Sequence, residues 1–182
     1  MKNLKHLISD SIKGKAKAQR QLYLSHRVKW YMVALRYSHN KTEADDILQE
    51  GLIQIFNSLD QFDQTKSQFI TWSSRVIAHA ALKFLKRNSW HKMVTDIEEI
   101  LHLPDDSESV YDKLAAKEMI ALLNTLPLGY KMVFNLHELE GFTHKEVAEK
   151  LNITEGTSKS QLSKAKKMLR QKLEFQITEN FG

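Results

Sequence analysis

The stretch from Thr143 to Lys172, THKEVAEKLNITEGTSKSQLSKAKKMLRQK, constrains the fold more than any other, because it fits two short helices around a tight turn. Thr143 with Glu146 three residues on is a capping box, in which each side chain satisfies a backbone N–H left unpaired by the first helical turn. Val147, Ala148 and Leu151 give that helix an apolar face, and Asn152 stands where the chain must reverse, one of the few non-glycine residues at ease in a left-handed conformation. Thr154 then caps a second helix, along which Leu162, Ala165, Leu169 and Leu173 recur at helical spacing while lysines and Arg170 take the outer positions. After Glu155 the stretch contains no acid. This is the pattern of a helix-turn-helix, whose first helix braces a second that enters the major groove while its lysines neutralise phosphates. An amphipathic hairpin with a solvated lysine face has the same spacing, so the rest of the chain must decide.

Charge is distributed in three blocks. Residues 1–90 carry +8, residues 91–112 carry −6 and residues 113–182 carry +3, which together make the overall +5. Two basic blocks joined by an acidic strip suit two separate contacts with a polyanion, although a charge run is also what a solvated face looks like. At 182 residues with 42% hydrophobic content, the chain can bury a core as one large domain or two small ones. None of its six glycines builds a phosphate-cradling loop, so nucleotide binding has no support and no cofactor is expected. Zero cysteines exclude disulfides, thiolate metal sites and thiol redox sensing, and fit a reducing compartment such as the cytoplasm. No apolar run approaches the roughly 20 residues of a membrane span, and the amphipathic N-terminus lacks a signal-peptide core, so a mature, soluble chain without membrane insertion is expected.

Taken in order, Leu4, Leu7, Ile8 and Ile12 predict a first amphipathic helix ending near Gly14. A second is expected from about Lys17 to Ser38, with Leu22, Trp30, Val33 and Tyr37 inward. Thr42 with Asp45 predicts the opening of a third, whose Ile47, Leu48, Ile55, Phe56 and Leu59 form an inward stripe. Asp45, Asp46, Gln49 and Glu50 gather acid at its start in an otherwise basic block, where acids also suit the helix dipole. Ser67 predicts the opening of a fourth helix, FITWSSRVIAHAALKFLKR, with Phe69, Trp72, Val76, Ala80 and Phe84 near one face and Arg75, Lys83, Lys86 and Arg87 flanking it. Aromatics interleaved with cations can stack on unpaired bases while holding their phosphates, and the same spacing also serves a plain core. Periodicity fades from Trp90 to Asp112, where Pro104 and the acids predict a linker. Helices resume at about Val110–Leu126, Pro127 suits the first turn of the next helix, and Gly141 stops it. The expected fold is all-α: a domain over 1–90, an acidic linker over 91–112 and a helix-turn-helix domain over 113–182.

Together these segments resemble the extracytoplasmic-function branch of bacterial sigma factors, the small type that keeps only regions two and four. ADDILQEGLIQIFNSLDQF is similar to that family's core-polymerase-binding helix and FITWSSRVIAHAALKFLKR to its promoter-melting helix. LLNTLPLGYKMVFNLHELEGFTHKEVAEKLNITEGTSKSQLSKAKKML is similar to its region four. A lone helix-turn-helix is a weak signal; three motifs in this order over nearly the whole chain are a specific one.

The resemblance implies a promoter-specificity subunit rather than an enzyme, with core RNA polymerase and promoter DNA as partners. Asp45, Asp46, Gln49 and Glu50 match the acidic start that docks on the clamp coiled coil of the polymerase's largest subunit. Trp72, Arg75, His79, Lys83, Lys86 and Arg87 match the segment that reads and opens the minus-ten element. Thr157, Lys159, Ser160, Gln161, Lys164 and Lys167 match the stretch that contacts the minus-thirty-five element. Family members thread the acidic connector through the polymerase cleft, and an anti-sigma partner often holds them inactive.

The sequence departs from the family pattern at several positions. His79 stands where asparagine is common, Ser73 and Ser74 where a leucine and an aromatic are usual, and Lys83 where an acid is usual. Ser158 replaces an apolar residue under the recognition helix, Gln161 an arginine and Asn152 the turn glycine. A glutamine at 161 suits adenine rather than guanine. The other readings are a stand-alone helix-turn-helix regulator, for which the acidic helix is ordinary surface, and a metal-dependent hydrolase, for which no HExxH is present.

Overall fold

The computed structural model describes residues 4–87 and 110–181, with side chains described over 4–87 and 117–175. Residues 91–109 of the expected linker lie outside them. The described residues form two compact helical units, and every extended element in them is a helix.

The first unit holds α1 (Leu4–Ile12), α2 (Ala16–Tyr37), α3 (Lys41–Asn57), a single 3₁₀ turn over Leu59–Gln61 and α4 (Phe69–Arg87). α2, α3 and α4 pack on one another, and α1 lies against α2. Leu22, Trp30, Val33, Tyr37, Ile47, Ile55, Leu59 and Ile77 are buried between them. Gly14, at φ +74, ends the first helical segment in the left-handed conformation that glycine adopts without strain.

Three local expectations need correction. The cap of α3 is Asn40, not Thr42: Asn40 Oδ1 accepts from the Glu43 N–H at 2.8 Å, and the Glu43 carboxylate accepts from the His39 N–H at 2.9 Å. Asn and Glu thus satisfy the orphan amides two residues earlier than Thr and Asp could. Ser67 does not open α4, which starts at Phe69; the Asp63 carboxylate organises the preceding turn by accepting from the Thr65 N–H and hydroxyl at 2.9 and 2.7 Å. Those bonds to Thr65 hold the Asp63 carboxyl below its ordinary pKa. Leu4 and Ile12, expected inside, are exposed, because α1 covers the unit with little more than Leu7.

α4 is the centre of this unit. Its inward row is Phe69, Ser73, Ile77, Ala80, Ala81 and Phe84, while Trp72 and Val76 are half-buried at the margin. Ser73 is a hydroxyl in an otherwise apolar row, and it is satisfied. It accepts from Trp30 Nε1–H at 2.8 Å and donates to the Ile70 carbonyl at 3.1 Å, so burial of both polar atoms is offset. Opposite Ile77 stands Gly51 of α3, where an added Cβ would meet Ile77 Cγ1 at 2.9 Å and Ile77 Cα at 3.3 Å. The absence of a side chain there lets the two backbones approach closely.

The second unit holds α5 (Val110–Asn124), α6 (Leu128–Phe134) continued by a π-helical turn over Asn135–Leu139, α7 (His144–Leu151) and α8 (Glu155–Phe181). Pro127 sits one position earlier than expected, as the cap of α6, with its carbonyl accepting from Lys131. α5, α6 and α7 each pack on α8, and Leu123, Leu126, Ala165 and Leu169 share one apolar cluster. Leu173, the last residue of the expected stripe, is 46% exposed, because α8 runs on past the helices that cover it.

The capping box of α7 forms in both directions: the Glu146 N–H donates to Thr143 Oγ1 at 3.2 Å and the Thr143 N–H to Glu146 Oε2 at 2.7 Å. Asn152 is left-handed at φ 55, ψ 48, and the Thr157 N–H donates to Thr154 Oγ1 at 3.0 Å to start α8. Thr143→Ala removes one half of the box and is expected to cost about 1 kcal/mol, read as a lower midpoint in urea with an unchanged slope.

Candidate nucleic-acid interface

α4 presents an outer face opposite its buried row. At 3.6 residues per turn, Trp72, Arg75, His79, Lys83, Lys86 and Arg87 fall within an arc of about 120°, so all six matched residues share one side. His79, Lys83, Lys86 and Arg87 are exposed, whereas Trp72 and Arg75 are half-buried. Trp72 belongs to an aromatic cluster, its ring centroid 5.4 Å from Phe62 and 5.9 Å from Phe69; Phe69 in turn meets Trp30 and His26. It serves packing and surface together, an apolar body with one edge at the solvent. Burial chiefly pushes His26 below its ordinary pKa, so this cluster stays uncharged at neutral pH.

α3 carries the second face. Asp45, Asp46 and Gln49 are exposed and Glu50 is half-buried. Asp45 lies beside the buried phenol of Tyr31, whose pKa is pushed up to about 12, by burial first and by the carboxylate second. Asp46 and Gln49 point outward on the same side as Ile53, which is 55% exposed. Sequence reasoning missed Ile53; the signal was available, since it falls outside the inward spacing of Ile47 and Ile55. An exposed apolar residue on a polar face follows the general layout of a protein interface, an apolar centre with a polar rim. Arg87 Nη2 reaches Glu50 Oε1 at 2.7 Å, so the end of α4 is tied to α3 by an exposed ion pair worth at most about 1 kcal/mol.

α8 carries the third. Ser158, Leu162, Ala165 and Leu169 face inward, which places Ser160, Lys164 and Lys167 on the opposite, exposed side. Thr157 and Gln161 lie on one flank, half-buried, and Lys159 on the other, 4.0 Å from Glu155. Gln161 is turned towards α6: a Cβ built on Gly129 would stand 3.3 Å from both its Oε1 and its Nε2. Of the matched positions on this helix, Ser160, Lys164 and Lys167 make the continuous outward row.

The faces of α4 and α8 offer cations and hydrogen-bonding groups, and that of α4 an aromatic edge, the set that holds phosphates and stacks on bases. Among the described residues no three of His, Asp or Glu are grouped as a metal ion would need, and no helix is long and apolar enough to cross a membrane.

Comparison with known proteins converges on the same segments. The family model described as Sigma-70 region 2 matches residues 22–91, and that described as Sigma-70, region 4 matches residues 116–169. The chain is 26% identical over 154 residues to the ECF RNA polymerase sigma factor SigE of Mycolicibacterium smegmatis, a match covering 82% of this chain and 59% of that protein. It thus spans about three fifths of that relative. It is 24% identical over 173 residues to the ECF RNA polymerase sigma-E factor of Escherichia coli strain K12, covering 89% of this chain and 90% of that one. Among solved structures, the sigma factor RpoE in complex with the anti-sigma factor NepR from Bartonella quintana superposes with a TM-score of 0.55 at 19% identity, over 85% of this chain and 96% of that one. CnrH in complex with the cytosolic domain of CnrY gives 0.52 at 20% identity, over 92% and 95%. These two likenesses concern the fold.

Proposed function

Because the chain belongs to the extracytoplasmic-function sigma factors of the sigma-70 family, we propose that it binds core RNA polymerase through α3, opens the minus-ten element with α4 and reads the minus-thirty-five element with α8. Asp46 and Gln49 contact the polymerase with Ile53 at the centre of the patch, and Glu50 supports them while pairing with Arg87. Trp72 and His79 meet the unpaired strand, and Arg75, Lys83 and Lys86 hold its phosphates. Ser160, Lys164 and Lys167 enter the groove or grip its edge, with Thr157, Lys159 and Gln161 at the margins. Sigma factors are not enzymes, and none of these steps needs a catalytic group. Duplex opening follows from binding the separated strand better than the paired one, by more than the stacking and pairing energy lost.

The observation that carries this reading is the placement of two different surfaces on one small unit, the acid-and-isoleucine face of α3 and the aromatic-cationic face of α4, held at a fixed distance by the Gly51–Ile77 approach. A stand-alone DNA-binding regulator has no use for the first. The protein works where the polymerase is, in the cytoplasm, and by analogy with the complexes of its structural neighbours a protein antagonist covers these faces when it is idle.

The test is transcription. Purified protein added to sigma-free core polymerase should yield transcripts whose start sites share two upstream elements; start sites no different from those of core alone would refute the reading. Lys164→Ala with Lys167→Ala should weaken promoter binding while sparing affinity for core, and should lower the slope of log K against log salt by about 2, since each phosphate contact contributes about 0.9.

A further inference from the structure

We propose that His144 is a positioning residue for the DNA-reading helix: through Ser158 it seats the first turns of α8, and its stack on His137 makes that seat sensitive to acid. The inference rests on the assignment of α8 to the minus-thirty-five element given above.

Ser158 is fully buried on the inner row of α8, which continues through the buried Leu162 and Ala165. Its side-chain partner is His144 Nδ1 at 2.9 Å, a bond joining the first residue of α7 to the second turn of α8 across the turn between them. The His144 ring lies on that of His137, centroids 4.0 Å apart and planes within 12°. His137 is fixed in turn: its Nδ1 faces the Phe142 carbonyl at 2.8 Å, and since a carbonyl only accepts, that nitrogen carries the proton. The π turn provides the geometry. By inserting an extra residue before Leu139 it brings His137 under the start of α7. The π turn, the start of α7 and the start of α8 therefore meet in one column of two imidazoles and a hydroxyl.

The charged and titratable groups facing His144 are His137 and Glu138 from the π turn and Glu155 and Lys159 from α8. Both acids are engaged, Glu138 with Lys166 at 2.9 Å and Glu155 with Lys159 at 4.0 Å. A proton on His144 thus enters a half-buried stack beside a second imidazole and a lysine, where Glu138 is already shared between Lys166 and His137 Nε2, the latter 3.8 Å away. Burial first, then His137 and Lys159, hold His144 below the ordinary 6.5, and Glu155 and Glu138 only partly oppose them. A base whose folded pKa lies below its unfolded value binds more protons when the structure opens. The seat is therefore fully stable above about pH 6.5 and weakens as pH falls through that value towards the lowered folded one.

The experiment measures binding of the holoenzyme, this chain with core polymerase, to a labelled promoter fragment recovered by start-site mapping, at pH 7.5 and 5.5. The variants are His144→Asn, which keeps a polar partner for Ser158 but does not titrate; His144→Leu; and His144→Leu with Ser158→Ala. Native holoenzyme should lose about fivefold more affinity on acidification than His144→Asn, within the ceiling of tenfold per pH unit for one coupled proton. At pH 7.5 His144→Leu should bind severalfold more weakly and the double variant should recover, with thermal melts checking that all four chains fold. Equal acid losses in the native and His144→Asn chains, or native affinity in His144→Leu, would overturn the proposal. Loss of footprint protection over the minus-thirty-five element in native holoenzyme would overturn the underlying assignment instead, and is read independently of pH.

Discussion

Core RNA polymerase is expected to bind the Asp46→Arg chain at least about a hundredfold more weakly than the native chain, with no change in the unfolding curve. The carboxylate is exposed in the second turn of α3, so arginine meets no packing partner and arginine is a good helix former. At a docking surface the same change replaces an attraction by a like-charge contact, which costs several kcal/mol, and about 3 kcal/mol is already more than a factor of a hundred. Ile53→Ala should act in the same direction but less strongly, by removing an apolar anchor without adding repulsion. Pull-down of purified core by the tagged chain, followed by titration in solution, gives both values. Undiminished capture by Asp46→Arg places the polymerase contact elsewhere.

The second large effect is on stability. Gly51→Val should lower the melting temperature of the first unit by about 10–20 °C, from about 2–3 kcal/mol of overpacking. The nearest atoms to a new Cβ are Ile77 Cγ1 at 2.9 Å and Ile77 Cα at 3.3 Å, and a backbone atom cannot turn aside as a side chain can. Valine adds two methyls to a contact already too short for one. Gly51→Ala should be milder, since the helix propensity gained, about 1 kcal/mol, offsets part of the strain. A differential scan of the two variants checks the order.

Gly51 also shows where the sequence stops being legible. A glycine inside a helical pattern has no periodic signature and reads only as a propensity cost; what it permits is visible once Ile77, twenty-six residues later, lies across it. Ser73 is similar, a hydroxyl on an apolar row that is matched by an indole forty-three residues earlier in the chain. By contrast, the turn between α7 and α8 is written locally. Thr143, Glu146, Asn152 and Thr154 act within a few residues of themselves, and all four do what their chemistry demands. The start of α3 is ambiguous in the sequence because Thr42 and Asp45 obey the same capping grammar as Asn40 and Glu43, and only geometry separates two overlapping solutions. The ends of apolar stripes are hidden for another reason. Periodicity locates the face of a helix but not the extent of its cover: α1 buries little more than Leu7, leaving Leu4 and Ile12 exposed, and α8 runs past its neighbours at Leu173. The order of motifs along the chain points to the three candidate faces, and the spacing of Ile47 and Ile55 leaves Ile53 outside their row, whereas the turning of Gln161 towards Gly129 is visible only once α6 and α8 pack.

That last contact has a consequence for how such a protein can change its targets. A side chain at position 129 would bring its Cβ to 3.3 Å from the Gln161 amide, which would have to shift by a few tenths of an ångström, so on the proposed reading one substitution in α6 alters how α8 presents a residue to the promoter. If Gln161 does meet the promoter, its preference can be retuned from the shelf on which that side chain rests as well as from the side chain itself.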